Sequence, residues 1–147
     1  MTGNVILVVG LPGCGKTTYV DKLTAEFGAQ KFDDFKANAH YDSPTFQCAR
    51  RFDELIIKLV RGETCIVADI DFCRNEARIE AEEEIKGRIP GVKVEWHYFE
   101  NDPIRCRRNV IRRKSNSVQQ ELLNIDRYSP GYDIPSPATL IRVPEQP

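Results

Sequence analysis

Residues 4–18 read NVILVVGLPGCGKTT, an apolar run followed at once by a glycine-rich segment. The run at 4–9 suits a strand that is buried on both faces of a parallel sheet. Residues 10–17 satisfy the pattern GxxxxGK[ST] in full. Its glycines let backbone N–H groups wrap around a phosphate, and the helix that follows adds the positive end of its dipole. The stretch therefore predicts a strand, a phosphate-binding loop (P-loop) and a helix, in that order.

The pattern assigns chemistry to individual side chains of this loop. Lys16 is predicted to reach the β- and γ-phosphates of ATP, and the Thr17 hydroxyl to ligate Mg²⁺. The predicted ATP-binding residues are Gly10, Leu11, Pro12, Gly13, Cys14, Gly15, Lys16, Thr17 and Thr18. A chance glycine-rich turn is the alternative, but Val20 and Leu23 recur at helical spacing after the loop and favour nucleotide binding.

The rest of the chain alternates between strand and helix patterns. Further strands are predicted at 30–34, 64–69, 92–99 and 139–143, and helices at 17–27, 45–61, 75–88, 103–114 and 117–127. This order predicts an α/β fold, a three-layer α/β/α sandwich around a mostly parallel five-stranded sheet. Because 147 residues suit one domain, residues 1–147 are predicted to form a single unit.

Three of the predicted helices begin with explicit capping signals. Asn75 is predicted to be the N-cap of the helix NEARIEAEEEIKGR. Asp102 is predicted to cap a helix that has Pro103 at its first position. Ser117 and Gln120 have the spacing of a capping box for the last helix.

Composition limits the functional classes without choosing one. Apolar residues make up 41% and charged residues 29%, as in ordinary globular proteins. The net charge of −1 gives no global attraction to nucleic acid, so any such binding needs a local basic patch. The five cysteines have no CxxC spacing, which favours reduced thiols. No apolar run is long enough to span a bilayer and no signal peptide is evident, so we expect a cytoplasmic protein without a membrane partner.

Carboxylates lie at the ends of two of the predicted strands, at the sheet edge where ligands of such folds bind. Asp33 or Asp34, in KFDDF, could orient an acceptor hydroxyl and take its proton, although a solvated turn or a helix cap is the alternative. Asp69 ends CIVAD, the pattern of an acidic residue that holds Mg²⁺ through water. Asp71 and Arg74 follow within one turn and either contact the substrate or, for Asp71, shape the loop.

A basic segment, IRCRRNVIRRK, occupies residues 104–114. Arg108 and Arg112 are four residues apart and share a helical face. Arginines brought over a transferring phosphoryl group stabilise the charge on its oxygens, so we expect an arginine-bearing helical lid at about 103–116. A solvated basic face and a nucleic-acid contact are the alternatives.

These motifs together resemble the small P-loop kinases, and most closely the polynucleotide 5′-hydroxyl kinases and the related zeta-toxin-like and gluconate-kinase-like enzymes. The resemblance extends from Val5 to about Asp133 and rests on GLPGCGKTT, KFDDFK, VADIDFCRNEAR and RRNVIRRK. It implies that Asp33 is the general base and that Lys36 occupies the family's basic position in the same segment.

The same resemblance implies that Asp69 lies near the metal and the substrate, and that Arg108 and Arg112 lie over the phosphates. The substrate-binding residues predicted in this way are Asp33, Asp34, Lys36, Asp71 and Arg74. Residues 36–51 resemble no pattern of the family, so the sequence leaves the acceptor open.

Three functions remain as hypotheses from the sequence. The leading one is an ATP- and Mg²⁺-dependent kinase whose acceptor is a nucleic-acid 5′-hydroxyl, a nucleoside or another small metabolite. The second is a nucleotide hydrolase or switch, which needs a positioned water and moving segments. The third is a regulatory module that binds ATP without turnover, against which the set Lys16, Thr17, Asp33 and Asp69 argues.

Overall fold

The structure is a computed structural model that describes residues 2–33 and 52–145. The strands are β1 (Asn4–Val9), β2 (Gln30–Asp33), β3 (Cys65–Ala68), β4 (Lys93–Phe99) and β5 (Thr139–Ile141). The α-helices are α1 (Lys16–Phe27), α2 (Phe52–Val60), α3 (Asn75–Arg88), α4 (Pro103–Arg113) and α5 (Val118–Tyr128). Short 3₁₀ helices lie at Ile70–Cys73 and Ser129–Gly131, outside the strands and helices that the sequence predicts.

The five strands form one parallel sheet in the order β2-β3-β1-β4-β5. The central strand β1 is buried along Val5–Val9, as its apolar run predicts. Tyr19 of α1 packs on Phe99 of β4 with ring centroids 5.5 Å apart, whereas Trp96 of the same strand donates a hydrogen bond to Glu82 of α3 at 2.9 Å. Side chains along a strand alternate between the two faces of the sheet, so Trp96 and Phe99, three positions apart, point to opposite faces. Helices α1 and α3 therefore cover opposite sides of the sheet. The predicted α/β sandwich is therefore confirmed.

The parallel register brings the chemically important strand ends together. Val8 of β1 pairs with Ala68 of β3, and Ala68 pairs with Asp33 of β2. The P-loop after β1 and Asp69 after β3 consequently leave the sheet side by side at one edge. This is the carboxyl edge, where ligands of open parallel sheets bind.

Helix starts follow the predictions in one case and depart from them in two. The Asp102 carboxylate accepts a hydrogen bond from the Arg105 N–H at 3.0 Å, which confirms the predicted cap of α4. The prediction that Asn75 caps α3 is wrong: Arg74 is the N-cap and Asn75 is the first helical residue. The cause is the preceding 3₁₀ turn, in which the Arg74 N–H already donates to the Asp71 carbonyl at 2.9 Å.

The predicted capping box at α5 is also wrong. Ser117 occupies the N-cap position, but its hydroxyl makes no cap hydrogen bond and lies 3.2 Å from the Ser115 hydroxyl. Its backbone angles, φ −103° and ψ 16°, depart from the extended conformation that directs a cap side chain at the first N–H groups. Gln120 bonds Asn124 one turn along the helix instead, at 3.1 Å.

The interior of the described residues is dominated by apolar side chains of β1, β3 and the inner helix faces. Cys14, Cys65, Cys73 and Cys106 are all buried and free. Within the described ranges, 2–33 and 52–145, no helix has the length and apolar character that crossing a bilayer requires. The first part of the predicted helix at 45–61 lies outside the described residues; the remainder forms α2.

Candidate active site

The segment between β1 and α1 has the backbone that a phosphate-binding loop requires. Gly13 has φ 82° and Gly15 has φ 100°, values in the left-handed region that favours glycine. A Cβ on Gly13 would lie 2.4 Å from the carbonyl oxygen of Cys106, so the loop approaches α4 too closely for any side chain there. Geometry therefore requires glycine at position 15, which the motif fixes, and also at position 13, which the motif leaves variable.

Lys16, the first residue of α1, extends its side chain back across this loop. Its Nζ donates a hydrogen bond to the Gly10 carbonyl oxygen at 2.6 Å. The first turn of α1 contains no acidic residue, so no carboxylate offsets the positive end of the helix dipole. Thr17 and Thr18 lie exposed on the same turn. Ammonium, helix dipole and N–H groups thus form one electropositive cradle for an anion.

Asp69 stands beside this cradle at the end of β3. It is 1% exposed, and its carboxylate accepts a hydrogen bond from the Asp71 N–H at 2.9 Å. That bond fixes the carboxylate at the carboxyl edge of the sheet. A carboxylate and the hydroxyl of Thr17 are hard oxygen donors of the kind that Mg²⁺ takes, and a magnesium site needs only one or two such protein groups beside the phosphates. These residues therefore fit the cation.

A second group lies beyond Asp69, on the turn that leads to α3. The Tyr128 hydroxyl, from the end of α5, donates to Asp71 Oδ1 at 2.8 Å. The guanidinium carbon of Arg74 lies 4.8 Å from the centroid of the same ring. Burial, and then the Asp71 carboxylate, raise the pKa of Tyr128 to about 12, so its hydroxyl remains a proton donor at neutral pH. The structure thus brings the predicted residues Asp71 and Arg74 together through Tyr128.

Helix α4 packs directly against the P-loop. Asn109 is fully buried, and its amide nitrogen donates to the Gly13 carbonyl at 2.9 Å and to the Pro144 carbonyl at 2.8 Å. Cys106 and Val110 lie on the same buried stripe and contact the position of Gly13. This one helix therefore joins the P-loop to the segment after β5.

The arginines of α4 point away from that buried stripe. Arg112 Nη2 lies 3.8 Å from Glu145 Oε1, and Arg113 Nη2 lies 2.6 Å from Glu121 Oε1. Arg107 pairs with Asp126. Arg108 is exposed, and no hydrogen bond or ion pair within residues 2–33 and 52–145 involves it. Movement of α4 as a lid remains a prediction.

An open cleft of about 610 Å³ adjoins the P-loop on the α1 side. Tyr19 and Phe99 form part of its wall, with Thr18 from α1 and Pro144 from the segment after β5. Its lining is mostly apolar and partly aromatic. A flat base attached to phosphates in the P-loop would find suitable contacts there.

Some predicted site residues lie outside what the structure describes. Asp33 is the last residue of β2, but only its backbone belongs to the described part. Asp34 and Lys36 lie in the segment between residues 33 and 52, which is outside the described residues. Their roles stay predictions.

Sequence reasoning missed Tyr128 and Asn109. Tyr128 meets Asp71 across 57 positions of sequence, and no motif links the two. Asn109 offered a weak signal, since it is a polar residue on the stripe that Cys106 and Val110 define as buried. Helical periodicity indicates that such a residue is buried, but it does not indicate which group the side chain hydrogen-bonds.

No protein-family model matches this chain, and no curated protein sequence matches it. Solved structures do resemble it. A fungal RNA kinase has a TM-score of 0.63 at 15% identity, over 99% of this chain and 76% of that one. A gluconokinase from Sinorhizobium meliloti 1021 has a TM-score of 0.56 at 12% identity, over 99% of this chain and 85% of the gluconokinase. A sugar kinase from Janibacter has a TM-score of 0.58 at 11% identity, over 97% and 84%.

These neighbours share one architecture, and it is the architecture that the sequence predicts. The protein has the fold of the P-loop kinases. The identities of 11–15% establish the fold alone.

Proposed function

We propose that this protein is an ATP- and Mg²⁺-dependent phosphotransferase that moves the γ-phosphoryl group to a hydroxyl acceptor. The observation that carries the proposal is the P-loop itself, with Gly13 and Gly15 in left-handed conformation and Lys16 held 2.6 Å from the Gly10 carbonyl. The buried carboxylate of Asp69 lies on the neighbouring strand end. A kinase fold, rather than a motif alone, favours transfer to an alcohol.

The phosphates of ATP would lie on the loop that spans residues 10–18. Backbone N–H groups and the start of α1 bind them, and Lys16 exchanges the Gly10 carbonyl for the β- and γ-phosphate oxygens. Thr17 and Asp69 would hold Mg²⁺, which when bound neutralises charge on these phosphates. The base would occupy the cleft beside Tyr19 and Pro144.

Asp33 is the proposed general base for the acceptor. Its backbone pairs with Ala68, one residue before Asp69, so the end of β2 lies one strand away from the proposed metal ligand. The acceptor oxygen bonds to the γ-phosphorus, the bond from that phosphorus to the β–γ bridging oxygen breaks, and the hydroxyl proton passes to the carboxylate. Asp34 is the alternative base, and Lys36 is proposed to assist in binding the acceptor.

Arg108 and Arg112 are proposed to stabilise the negative charge on the transferring group. Arg108 is exposed and has no hydrogen bond or ion pair among the described residues, so its guanidinium can turn to a phosphate at small cost. Arg112 lies one turn further along α4 and forms an exposed ion pair with Glu145.

The acceptor is proposed to be a polynucleotide 5′-hydroxyl or a small metabolite. The similar solved structures are named as kinases of RNA, of gluconate and of a sugar, which supports both choices. Asp71 and Arg74, next to Asp69 on the turn after β3, are proposed as acceptor contacts.

Incubation with γ-labelled ATP and Mg²⁺ tests the proposal. The panel of acceptors comprises an oligonucleotide with a 5′-hydroxyl, thymidine, thymidine 3′-phosphate, gluconate and glucose, and Lys16→Ala is the inactive control. Label on one acceptor supports a kinase and names its substrate. Label released only as free phosphate indicates a hydrolase, and ATP that stays bound and intact indicates a binding module.

A further inference from the structure

We propose that Tyr128 is a positioning residue for the acceptor, because its hydroxyl fixes the carboxylate of Asp71 and its ring fixes the guanidinium of Arg74. The inference rests on the proposed function and adds to it a residue that no motif identifies. The two contacts are the hydrogen bond of 2.8 Å to Asp71 Oδ1 and the guanidinium at 4.8 Å from the ring centroid.

The end of α5 is tied to the edge of the sheet where the acceptor would bind. Asn101, just after β4, donates to the Ser129 carbonyl at 2.8 Å and accepts from the Ser129 hydroxyl at 2.7 Å. The Tyr132 hydroxyl lies against the carbonyl oxygens of the last residues of β1 and β4. Tyr128 is therefore held at the carboxyl edge by bonds on its C-terminal side, independently of Asp71.

The hydroxyl of Tyr128 connects to the proposed metal ligand through a short network. Asp69 accepts from the Asp71 N–H at 2.9 Å, and Asp71 Oδ1 accepts from Tyr128 at 2.8 Å. Within residues 2–33 and 52–145, no other side chain hydrogen-bonds the Asp71 carboxylate. Its Oδ2 can therefore accept a hydrogen bond from an acceptor hydroxyl.

The ring of Tyr128 covers one face of Arg74 and leaves the edge of the guanidinium available. Arg74 is exposed, and no ion pair of the described residues involves it. Arg78, one turn later, is the contrast: it is buried, and its nitrogens bond the carbonyls of Phe72 and Asp133, each at 2.7 Å. Arg78 therefore has a structural role, whereas the donors of Arg74 suit an oxyanion on the acceptor.

Two substitutions separate the hydroxyl from the ring. Tyr128→Phe keeps the ring, and we expect it to raise the KM of the acceptor about 10-fold with the KM of ATP unchanged. Tyr128→Leu removes both contacts, and we expect it to raise the KM of the acceptor about 50-fold. The KM should rise more for thymidine 3′-phosphate than for uncharged thymidine. Tyr98→Phe is the matched control, since no hydrogen bond of the described residues involves its hydroxyl, and both KM values should stay at the wild-type level.

A double-mutant cycle then asks whether Tyr128 acts through Asp71. If it does, Tyr128→Phe adds less than 2-fold to the acceptor KM of Asp71→Ala, a variant that has no side-chain oxygen left to accept the Tyr128 hydroxyl. Equal losses for ATP and acceptor, or fully additive losses in the cycle, would show a merely structural role and overturn the proposal.

One measurement is independent of any phosphoryl transfer. The Arg74 Hε resonance should be shifted upfield by the ring in the wild type and in Tyr128→Phe, and should return to an ordinary value in Tyr128→Leu. An unchanged resonance in the leucine variant overturns the positioning role. Absence of label transfer by the wild-type protein would instead overturn the proposed function, so the two failures are distinct.

Discussion

Asn109 is the side chain through which α4 holds the P-loop, and its removal should weaken both stability and nucleotide binding. Its amide nitrogen is shared between the carbonyl oxygens of Gly13 and Pro144, at 2.9 and 2.8 Å, and the residue is fully buried. Asn109→Ala removes both bonds at once. The bond to Gly13 is buried, whereas the bond to Pro144 is only partly buried.

The two bonds can be assigned different magnitudes on this basis. A buried carbonyl left without a partner costs about 2 kcal/mol, and a partly buried bond that water can replace contributes about 1 kcal/mol. Together they should lower the free energy of unfolding by about 3 kcal/mol, which corresponds to a fall in Tm of about 10 °C for a chain of this size. Because the Gly13 carbonyl loses its hydrogen bond to α4, the P-loop is held less firmly, and the affinity for ATP should fall several-fold as well.

Urea unfolding followed by circular dichroism measures the stability, and titration with a fluorescent ATP analogue measures the affinity. Asn124→Ala is the matched control, since its side chain makes an exposed bond to Gln120 within α5; it should change the free energy of unfolding by less than about 0.5 kcal/mol. If Asn109→Ala unfolds at the wild-type midpoint and binds the analogue equally well, the link from α4 to the P-loop has no energetic weight and the reasoning fails.

Further substitutions and alkaline pH test other parts of the account. Lys16→Ala should abolish label transfer, and residual transfer above one hundredth of the wild-type rate would argue against its role. Asp33→Asn should slow transfer on the order of 100- to 10,000-fold while ATP binding persists; full turnover in this variant would exclude it as the base. Burial raises the pKa of Cys65 and of Cys73 from the usual 9.0 to about 12. The folded state thus favours the neutral thiols, so the free energy of unfolding should hold below pH 9 and fall between pH 9 and 12 by up to about 1.4 kcal/mol per thiol per pH unit. Urea titrations at pH 8 and 10 measure this fall, and Cys65→Ala should reduce it.

Local patterns predicted most of the fold because each element carries its own signal. The apolar run before the P-loop, Gly28 after α1 and the pair Asp102 and Pro103 before α4 mark boundaries that the structure has within a residue. The range of α3 was predicted, but its N-cap was assigned one residue too late, because a short 3₁₀ turn precedes the helix and leaves no periodic signal in the sequence. The prediction that Ser117 caps α5 failed because a serine forms a cap only when its backbone conformation directs the hydroxyl at the first N–H groups of the helix.

The candidate site was predictable only where it is contiguous in sequence. The P-loop is one such segment, and Asp69 follows from a strand pattern beside it. The bonds from Tyr128 to Asp71 and from Asn109 to Gly13 span 57 and 96 positions, and they depend on how helices pack at the sheet edge. Packing of that kind is a tertiary property, which composition and spacing do not encode locally.

Residue-resolved NMR with Mg²⁺ and a non-hydrolysable ATP analogue tests the central claim most directly, because it requires no knowledge of the acceptor. The claim is that N–H groups of the loop after β1 bind the phosphates. The account predicts that the amide resonances of Gly13, Gly15 and Lys16 move downfield when the wild type is saturated, and that those of Gly13 and Gly15 stay in place in Lys16→Ala at the same concentration of analogue. Saturable binding that leaves these amides unmoved and shifts resonances elsewhere would contradict it.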